Sequence, residues 1–578
     1  MSKPRSRTRS ENAVDPLPSS RPILSATTAF SVLLVVRLLS AAYATIPDCD
    51  EVFNFWEPAH YLSHGHGLQT WEYSPEYAIR SWAYIGLHSL ATRAISLLPS
   101  TPTKTHEFYG LRVLLALSCA YAETRLYSAV STAINRRVGL LYLIFTVCAA
   151  GMFHSAAAFL PSTFAMYTTM LGTAAFLRRQ TVRGVFWFAL GGLLGWPFSL
   201  AMCVPFVVEE VVVGALGGRL AGTVGRFIKG GIVSLVLLGA IVAADYVAYR
   251  KLEVIPLNIV LYNVFGGEGK GPDIYGTEPW WFYMANLALN FNVLLPLALV
   301  SAPLLALHCV LSRTTATGST RTLAAAAPFY LWLAIFTAQP HKEERFMFVL
   351  YPALCLNAAL SHHTALALCR ALSSRLPARS VFNWAVLVVP PILAAALSLS
   401  RVLAVTTAYS APLHIYAALP PTASGNLCLA KEWYRFPSHY LLPEDVRAKF
   451  VSSAFDGLLP GEFYESAGRD GTWMLPRGMN DRNQPDPEKY ITLPLCDYVV
   501  ESYFAGHGDY EAGAEPDLVL DEAWEELYCE AFLDAARTPM LGRTLWVPGA
   551  PDVRRWGRYC LFGRRKERVD VNTFFIGS

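Results

Sequence analysis

Residues 23–51 read ILSATTAFSVLLVVRLLSAAYATIPDCDE, an apolar run that ends in Asp48, Asp50 and Glu51. A transmembrane helix needs about 20 mostly apolar residues to cross the hydrocarbon core with its backbone satisfied. Positions 23–45 meet that need. Ahead of them Lys3, Arg5, Arg7, Arg9 and Arg21 mark a polar stretch, 1–22, that reads as a disordered cytosolic tail. Basic residues also open signal peptides, but no small-residue cleavage site follows, so the run reads as a retained signal anchor. Carboxylates clustered at its far end cost repulsion and desolvation unless cationic or polar groups answer them. Acidic residues can simply end a helix at a membrane face. The residues that follow argue for more.

Asn54, Trp56, Glu57, His60, His64, His66, Gln69, Trp71, Glu72 and Tyr73 crowd into positions 52–73. Sugar rings stack on aromatic faces, and their hydroxyls pair with amides and carboxylates, so this stretch has the composition of a sugar pocket. His60 and His64 share a helical spacing, but Gly65 and Gly67 interrupt it and no cysteine stands at a metal spacing. No metal site is expected.

The rest of the chain extends the membrane reading. Of 578 residues, 53% are hydrophobic and 16% charged, against about 25% charged in soluble domains. The shortfall lies in 23–405, whereas 406–578 has an ordinary soluble composition. Candidate spans are 23–45, 108–130, 138–153, 159–177, 184–200, 201–217, 230–249, 281–311, 323–338, 344–361 and 381–403. These predict an all-α polytopic protein of about 11 helices with a C-terminal domain of mixed structure. Trp196-Pro197 and Pro205 make 184–217 the segment most open to a break. Arg136-Arg137, Arg178-Arg179, Arg183, Arg219 to Lys229, Arg313, Arg321 and Arg370 to Arg379 fall on alternate loops, which assigns those loops to the cytosol. Loops 46–107, 155–160, 250–280 and 339–346, and the tail after 405, are then lumenal. Tyr77 to Leu98, with Arg80, His88 and Arg93, has the pattern of a helix lying in the interface. Cys428, Cys496, Cys529 and Cys560 permit one or two disulfides in an oxidising lumen. A net charge of +3 without basic clustering excludes a nucleic-acid surface.

A second constellation is Gln339-Pro340-His341-Lys342-Glu343-Glu344-Arg345-Phe346, in a short turn between apolar runs. His341, Lys342 and Arg345 suit a phosphate, Arg in bidentate fashion and Lys as a point charge. Glu343 and Glu344 would orient those cations or take sugar hydroxyls. Gly266 to Gly271, with Glu268 and Lys270, lacks the Gly-Lys-Ser/Thr ending of a nucleotide loop and reads as a flexible connection.

Asp48-Cys49-Asp50-Glu51-Val52-Phe53-Asn54-Phe55-Trp56-Glu57-Pro58, Leu68-Gln69-Thr70-Trp71-Glu72-Tyr73-Ser74-Pro75-Glu76-Tyr77-Ala78-Ile79-Arg80-Ser81 and His341-Lys342-Glu343-Glu344-Arg345-Phe346 together resemble glycosyltransferase family 22. Within it they are most similar to the Alg-nine type, the dolichol-phosphate-mannose-dependent α-1,2-mannosyltransferases of N-glycan precursor assembly. Phe55 and the stretch Ser63 to Gly67 depart from the wording of that type. The resemblance implies a GT-C bundle in the endoplasmic reticulum membrane with a lumenal active site. Its donor would be dolichyl-phosphate mannose and its acceptor a dolichol-pyrophosphate-linked oligosaccharide, with no further cofactor.

A β-mannosyl phosphate giving an α-linked product inverts at the anomeric carbon, so one displacement with one general base suffices. Asp50 is the expected base, with Glu51 orienting it or contacting the acceptor mannose; His341, Lys342 and Arg345 would hold the donor phosphate. Asn54, Trp56, Glu57, Gln69, Trp71, Glu72, Tyr73, Glu343 and Glu344 are the expected sugar and acceptor contacts. The alternatives are the α-1,6 enzyme of the same pathway, a mannosyltransferase of glycosylphosphatidylinositol anchors, and a carrier or flippase for a polar lipid. A carrier is disfavoured because the ionisable residues gather at one end of the spans and no inverted repeat is evident.

Overall fold

The structure, a computed structural model, describes residues 21–97, 103–266, 270–312, 316–372, 379–504, 518–519, 521–549 and 552–565. Positions 1–20 of the expected cytosolic tail, 267–269 of the glycine run and the basic residues Arg313 and Arg375 lie outside them.

The described residues up to 409 are mostly helical. Among the described residues, Ala26–Tyr43, Pro197–Leu216, Leu220–Tyr249, Thr320–Ala338 and Val381–Tyr409 are long and apolar enough to cross a membrane. At the centre, Lys104–Ala133 packs between Ala26–Tyr43 and Pro161–Leu177. Arg37, the lone charge in the first apolar run, is fully buried there; it donates to Glu123 at 2.6 and 3.0 Å and to the carbonyl of Thr146 at 2.8 Å. An ion buried among apolar helices persists only when paired in this way.

Several expected spans are broken. The stretch 184–217 forms Thr181–Leu190, a π turn Gly191–Gly195, an extended Trp196, a 3-10 segment Pro197–Cys203 and Val204–Leu216. The stretch 281–311 forms Phe282–Phe291, Leu294–Leu299 and Ser301–Ser312; Asn292 takes a left-handed φ of 41° and caps the amide of Val293 at 2.7 Å. The run expected to start at 344 begins as a 3-10 segment, Glu344–Leu350, before Tyr351–Leu372. Irregular backbone in a membrane bundle is tolerated where it lines a cavity, as Trp196, Phe198, Arg345 and Phe346 do.

The tail carries a five-stranded sheet. Strand β1 (Leu68–Gln69) belongs to the first loop, and β2 (Ser424–Leu429), β3 (Asp445–Phe450), β4 (Gly461–Glu462), β5 (Tyr498–Tyr503), β6 (Trp524–Leu533) and β7 (Trp556–Arg564) to the tail. The sheet order is β3-β2-β5-β7-β6, parallel from β3 to β5 and antiparallel beyond. Side chains alternate across a strand. Leu427 and Leu429 therefore join the core shared with the bundle, while Cys428 faces the other way with Cys496, Val499 and Cys560. The four tail cysteines, which permitted one or two disulfides, form two: Cys428–Cys496 and Cys529–Cys560. Strands β1 and β4 pair antiparallel, Leu68 opposite Glu462, which stitches the first loop to the tail.

Candidate active site

The first loop, the turn at 155–160, the segment 254–282, the turn 339–346 and the tail converge at one end of the bundle around a cavity of about 920 Å³. Its chemistry starts at Asp48, which caps the helix Cys49–Glu51 by accepting from the amide of Asp50 at 3.0 Å. Successive helical residues point about 100° apart. Asp48, in extended backbone at the cap, and Cys49 and Asp50 in the first turn line the cavity, and Glu51, one step further round, is buried in the protein. The helix continues through a π turn, Val52–Trp56, into Glu57–His64, and the π turn puts Phe53, Asn54 and Phe55 on the cavity wall.

Arg345 reaches these carboxylates from the other end of the chain. Its Nη1 donates to both oxygens of Asp48 at 2.8 and 2.9 Å, and its Nη2 to Asp50 at 2.5 Å and to Glu343. His341 faces Glu343 with Nε2 at 2.9 Å and the carbonyl of Gly276 with Nδ1 at 2.8 Å. Both partners are acceptors, which suits an imidazolium. Burial alone would lower the His341 pKa; the hydrogen bonds to Glu343 and then to Gly276 outweigh it and raise the value. Burial pushes Asp48 up to about 7 despite Arg345, since Glu343 and Asp50 add negative charge. For Asp50 burial is outweighed by Arg345 and then Arg80, so its carboxyl is held below the usual range. Asp50 is thus the more readily ionised member of the pair. A second pair lines the wall nearby, with Arg80 clasping Glu72 at 2.8 and 3.0 Å.

Of the residues singled out in the sequence, Asp50, Asn54, Trp71, Glu72, His341, Glu343 and Arg345 line the cavity. The others lie behind its wall. Glu51 accepts from the Trp56 indole at 3.1 Å and the amide of Phe159 at 2.9 Å. Trp56 is packed between Phe108, Phe159 and Tyr440. Glu57 accepts from Leu68, Ser438 and His439, the shortest at 2.6 Å from His439 Nδ1. Gln69 donates to the carbonyl of Met474 at 3.2 Å, and Tyr73 to that of Asn54 at 2.5 Å. Lys342 donates to the carbonyls of Glu278 at 2.9 Å, of Pro340 at 3.4 Å and of Gln339. Glu344 accepts from Asn290 at 2.9 Å. Lys342 therefore stays off the phosphate position expected of it: three carbonyls already surround its ammonium.

Asp48, Arg80, Tyr262, Tyr275, Trp196 and Trp433 also line the cavity. Asp48 belongs to the acidic cluster that ends the first apolar run, Trp196 to the Trp-Pro step and Arg80 to the same string as Trp71 and Glu72, so proximity in sequence was their signal; Tyr262, Tyr275 and Trp433 carry no local mark. The Trp71 indole donates to Tyr275 at 3.1 Å and lies 5.3 Å from the Tyr262 ring. Gly67 is required where it stands, because a Cβ there would come within 2.9 Å of the Glu57 carbonyl. His60 Nδ1 is engaged with the carbonyl of His66 at 2.7 Å and His64 Nε2 with Glu107 at 3.0 Å, so the loop histidines act as packing groups.

The model of the Alg9-like mannosyltransferase family matches residues 28–443. The α-1,2-mannosyltransferase alg9 of Schizosaccharomyces pombe is 40% identical over 563 residues, 94% of this chain and 95% of that protein. The human α-1,2-mannosyltransferase ALG9 is 40% identical over 546 residues, 91% of this chain and 86% of its own. Among solved structures, ArnT from Cupriavidus metallidurans bound to undecaprenyl phosphate superposes with a TM-score of 0.50 at 12% identity, covering 92% of this chain and 97% of its own. That likeness concerns the fold alone, and the fold is the GT-C bundle implied by the sequence. With relatives of this identity aligned along nearly its whole length, the chain is a glycosyltransferase and belongs to the Alg9-like mannosyltransferase family.

Proposed function

We propose that the chain transfers mannose from dolichyl-phosphate mannose, in α-1,2 linkage, onto the lipid-linked oligosaccharide precursor of N-glycosylation, at the lumenal face of the endoplasmic reticulum. The observation that carries this reading is the meeting of Asp50 and Arg345, 295 residues apart in sequence, in the wall of one large cavity. A base beside a cation is what a single displacement from a sugar phosphate needs. In this reading Asp50 takes the proton of the acceptor hydroxyl. The new oxygen–carbon bond forms at the anomeric carbon as the bond to the phosphate oxygen breaks, and dolichyl phosphate leaves as an anion beside Arg345 and His341. Trp71, Asn54 and the Glu72–Arg80 pair face the sugars. Glu51, Trp56, Glu57, Gln69, Tyr73, Lys342 and Glu344 hold the wall from behind.

The alternation of basic loops between the expected spans supports the lumenal placement, as do two disulfides in the tail at the same end as the cavity. The α-1,2-mannosyltransferase activity named for the relatives supports the linkage, and undecaprenyl phosphate bound to ArnT, a protein of the same fold, accords with a polyprenyl-linked donor. One observation favours a second reading of the base: Asp48, pushed up to about 7, is matched to proton transfer at neutral pH. The test supplies purified protein with synthetic mannosyl-phosphoryl-lipid and defined acceptor glycans, then determines the product linkage. An α-1,6 product, or none without a nucleotide sugar, would refute the proposal.

A further inference from the structure

The cavity is not walled by the bundle alone. Trp433, Phe455, Leu458, Leu459, Pro460 and Asn483 reach it from the tail. Trp433 and Phe455 are half-buried, their ring centroids 4.5 Å apart, and Trp433 stacks at 6.1 Å on Phe53, three residues from Asp50. Asn483, in a left-handed conformation at φ 53°, accepts the amide of Leu458 at 3.0 Å on its Oδ1, which pins the loop beneath Phe455 and fixes its own amide in the wall. On the other flank of the Asp50–Arg345 pair, Phe346 stands 5.1 Å from Trp196, and the wall there is built from the membrane helices.

These two flanks differ in what can approach them. A polyprenyl chain enters from the bilayer, so a donor whose phosphate sits at Arg345 uses the flank made by the bundle. An acceptor glycan is polar, long and far from its own lipid at its growing end, and it must bring a hydroxyl to Asp50 from water. Paired aromatic faces beside a fixed amide are the chemistry that grips a sugar ring. We propose that Trp433, Phe455 and Asn483 form the subsite for the terminal sugar of the acceptor glycan, so that the tail sets acceptor selectivity. This rests on the transfer reaction proposed above.

The experiment uses full-length protein with synthetic mannosyl-phosphoryl-lipid and a panel of acceptor glycans, and measures KM for each substrate separately. Phe455→Ala and Asn483→Ala are expected to raise acceptor KM on the order of tenfold, the scale of one well-packed contact, with donor KM unchanged. Trp433→Ala should do the same, and Trp433→Phe, which keeps an aromatic face, should restore most of the loss; a merely loosened fold would instead raise donor KM alongside acceptor KM. Unchanged acceptor KM in Phe455→Ala and Asn483→Ala, or an equal rise in donor KM, would overturn the subsite. Wild-type protein that transfers no mannose would overturn the reaction itself, a result distinct from a working enzyme whose tail variants behave normally.

Discussion

Asp50 and Glu57 sit seven positions apart on the same helical stretch of the first loop, and they do opposite work. Asp50 faces the cavity and shares Arg345 with Asp48 and Glu343. Glu57 is wholly buried and spends both oxygens on Leu68, Ser438 and His439, tying the loop to itself and to the tail. For Glu57 burial would raise the pKa, but His439 and its hydrogen bonds outweigh it and lower the value. The lesson is that this motif is half chemistry and half scaffold. Which half a residue belongs to depends on the face it presents, not on its charge.

Breaking the scaffold should give the largest structural effect. Glu57→Ala leaves the His439 ring, the Ser438 hydroxyl and the amides of Leu68 and His439 without their acceptor, and each buried donor left unsatisfied costs about 1–3 kcal/mol. A large fall in thermal unfolding temperature of the detergent-solubilised protein is expected, whereas Asp50→Asn should unfold like the wild type because Arg345 keeps two carboxylates. Equal destabilisation by both would erase the distinction.

Arg345→Lys sharpens the chemical half. Lysine keeps the charge but cannot fork between Asp48 and Asp50. A fall in kcat/KM for the donor of roughly 10–100-fold is expected, equivalent to about 1.4–2.7 kcal/mol, and an unchanged value would remove Arg345 from the phosphate.

A smaller effect lies in pH. The Asp48 carboxyl, raised to about 7, is mostly protonated below that pH and ionises above it, adding negative charge where the donor phosphate must bind. Donor KM should therefore rise as pH increases through 7, by at most about tenfold per unit for one linked proton. Asp48→Asn should flatten the profile. If kcat instead rises with pH through 7 and Asp48→Asn abolishes turnover, Asp48 is the base. Smallest of all should be Lys342→Met: the side chain touches only carbonyls of its own neighbourhood, so donor KM should change less than threefold, within about 0.7 kcal/mol. A tenfold rise would put Lys342 back on the phosphate.

The meeting of the two clusters was legible because charge is costly at the ends of apolar runs, and a carboxylate group and a cation group in such places ask for each other. The division inside each cluster was not. Asp50 and Glu51, or Lys342 and Arg345, are neighbours in sequence that diverge only once the helix at Cys49–Glu51 and the 3-10 segment at Glu344–Leu350 set their directions. The breaks at Trp196 and Asn292 had weaker signals, a Trp-Pro step in one case and none in the other. Trp433 and Asn483 had no signal at all. They lie in a tail of ordinary composition and gain meaning only when β4 pairs with β1 and brings the tail over the cavity.

The most direct test of the central claim is donor binding and mannose transfer measured side by side on Asp50→Asn. The account predicts that transfer falls by about 10²–10⁴-fold, the range of a lost general base, while mannosyl-phosphoryl-lipid binds as to the wild type. Turnover at the wild-type rate, or loss of donor binding in step with loss of transfer, would contradict it.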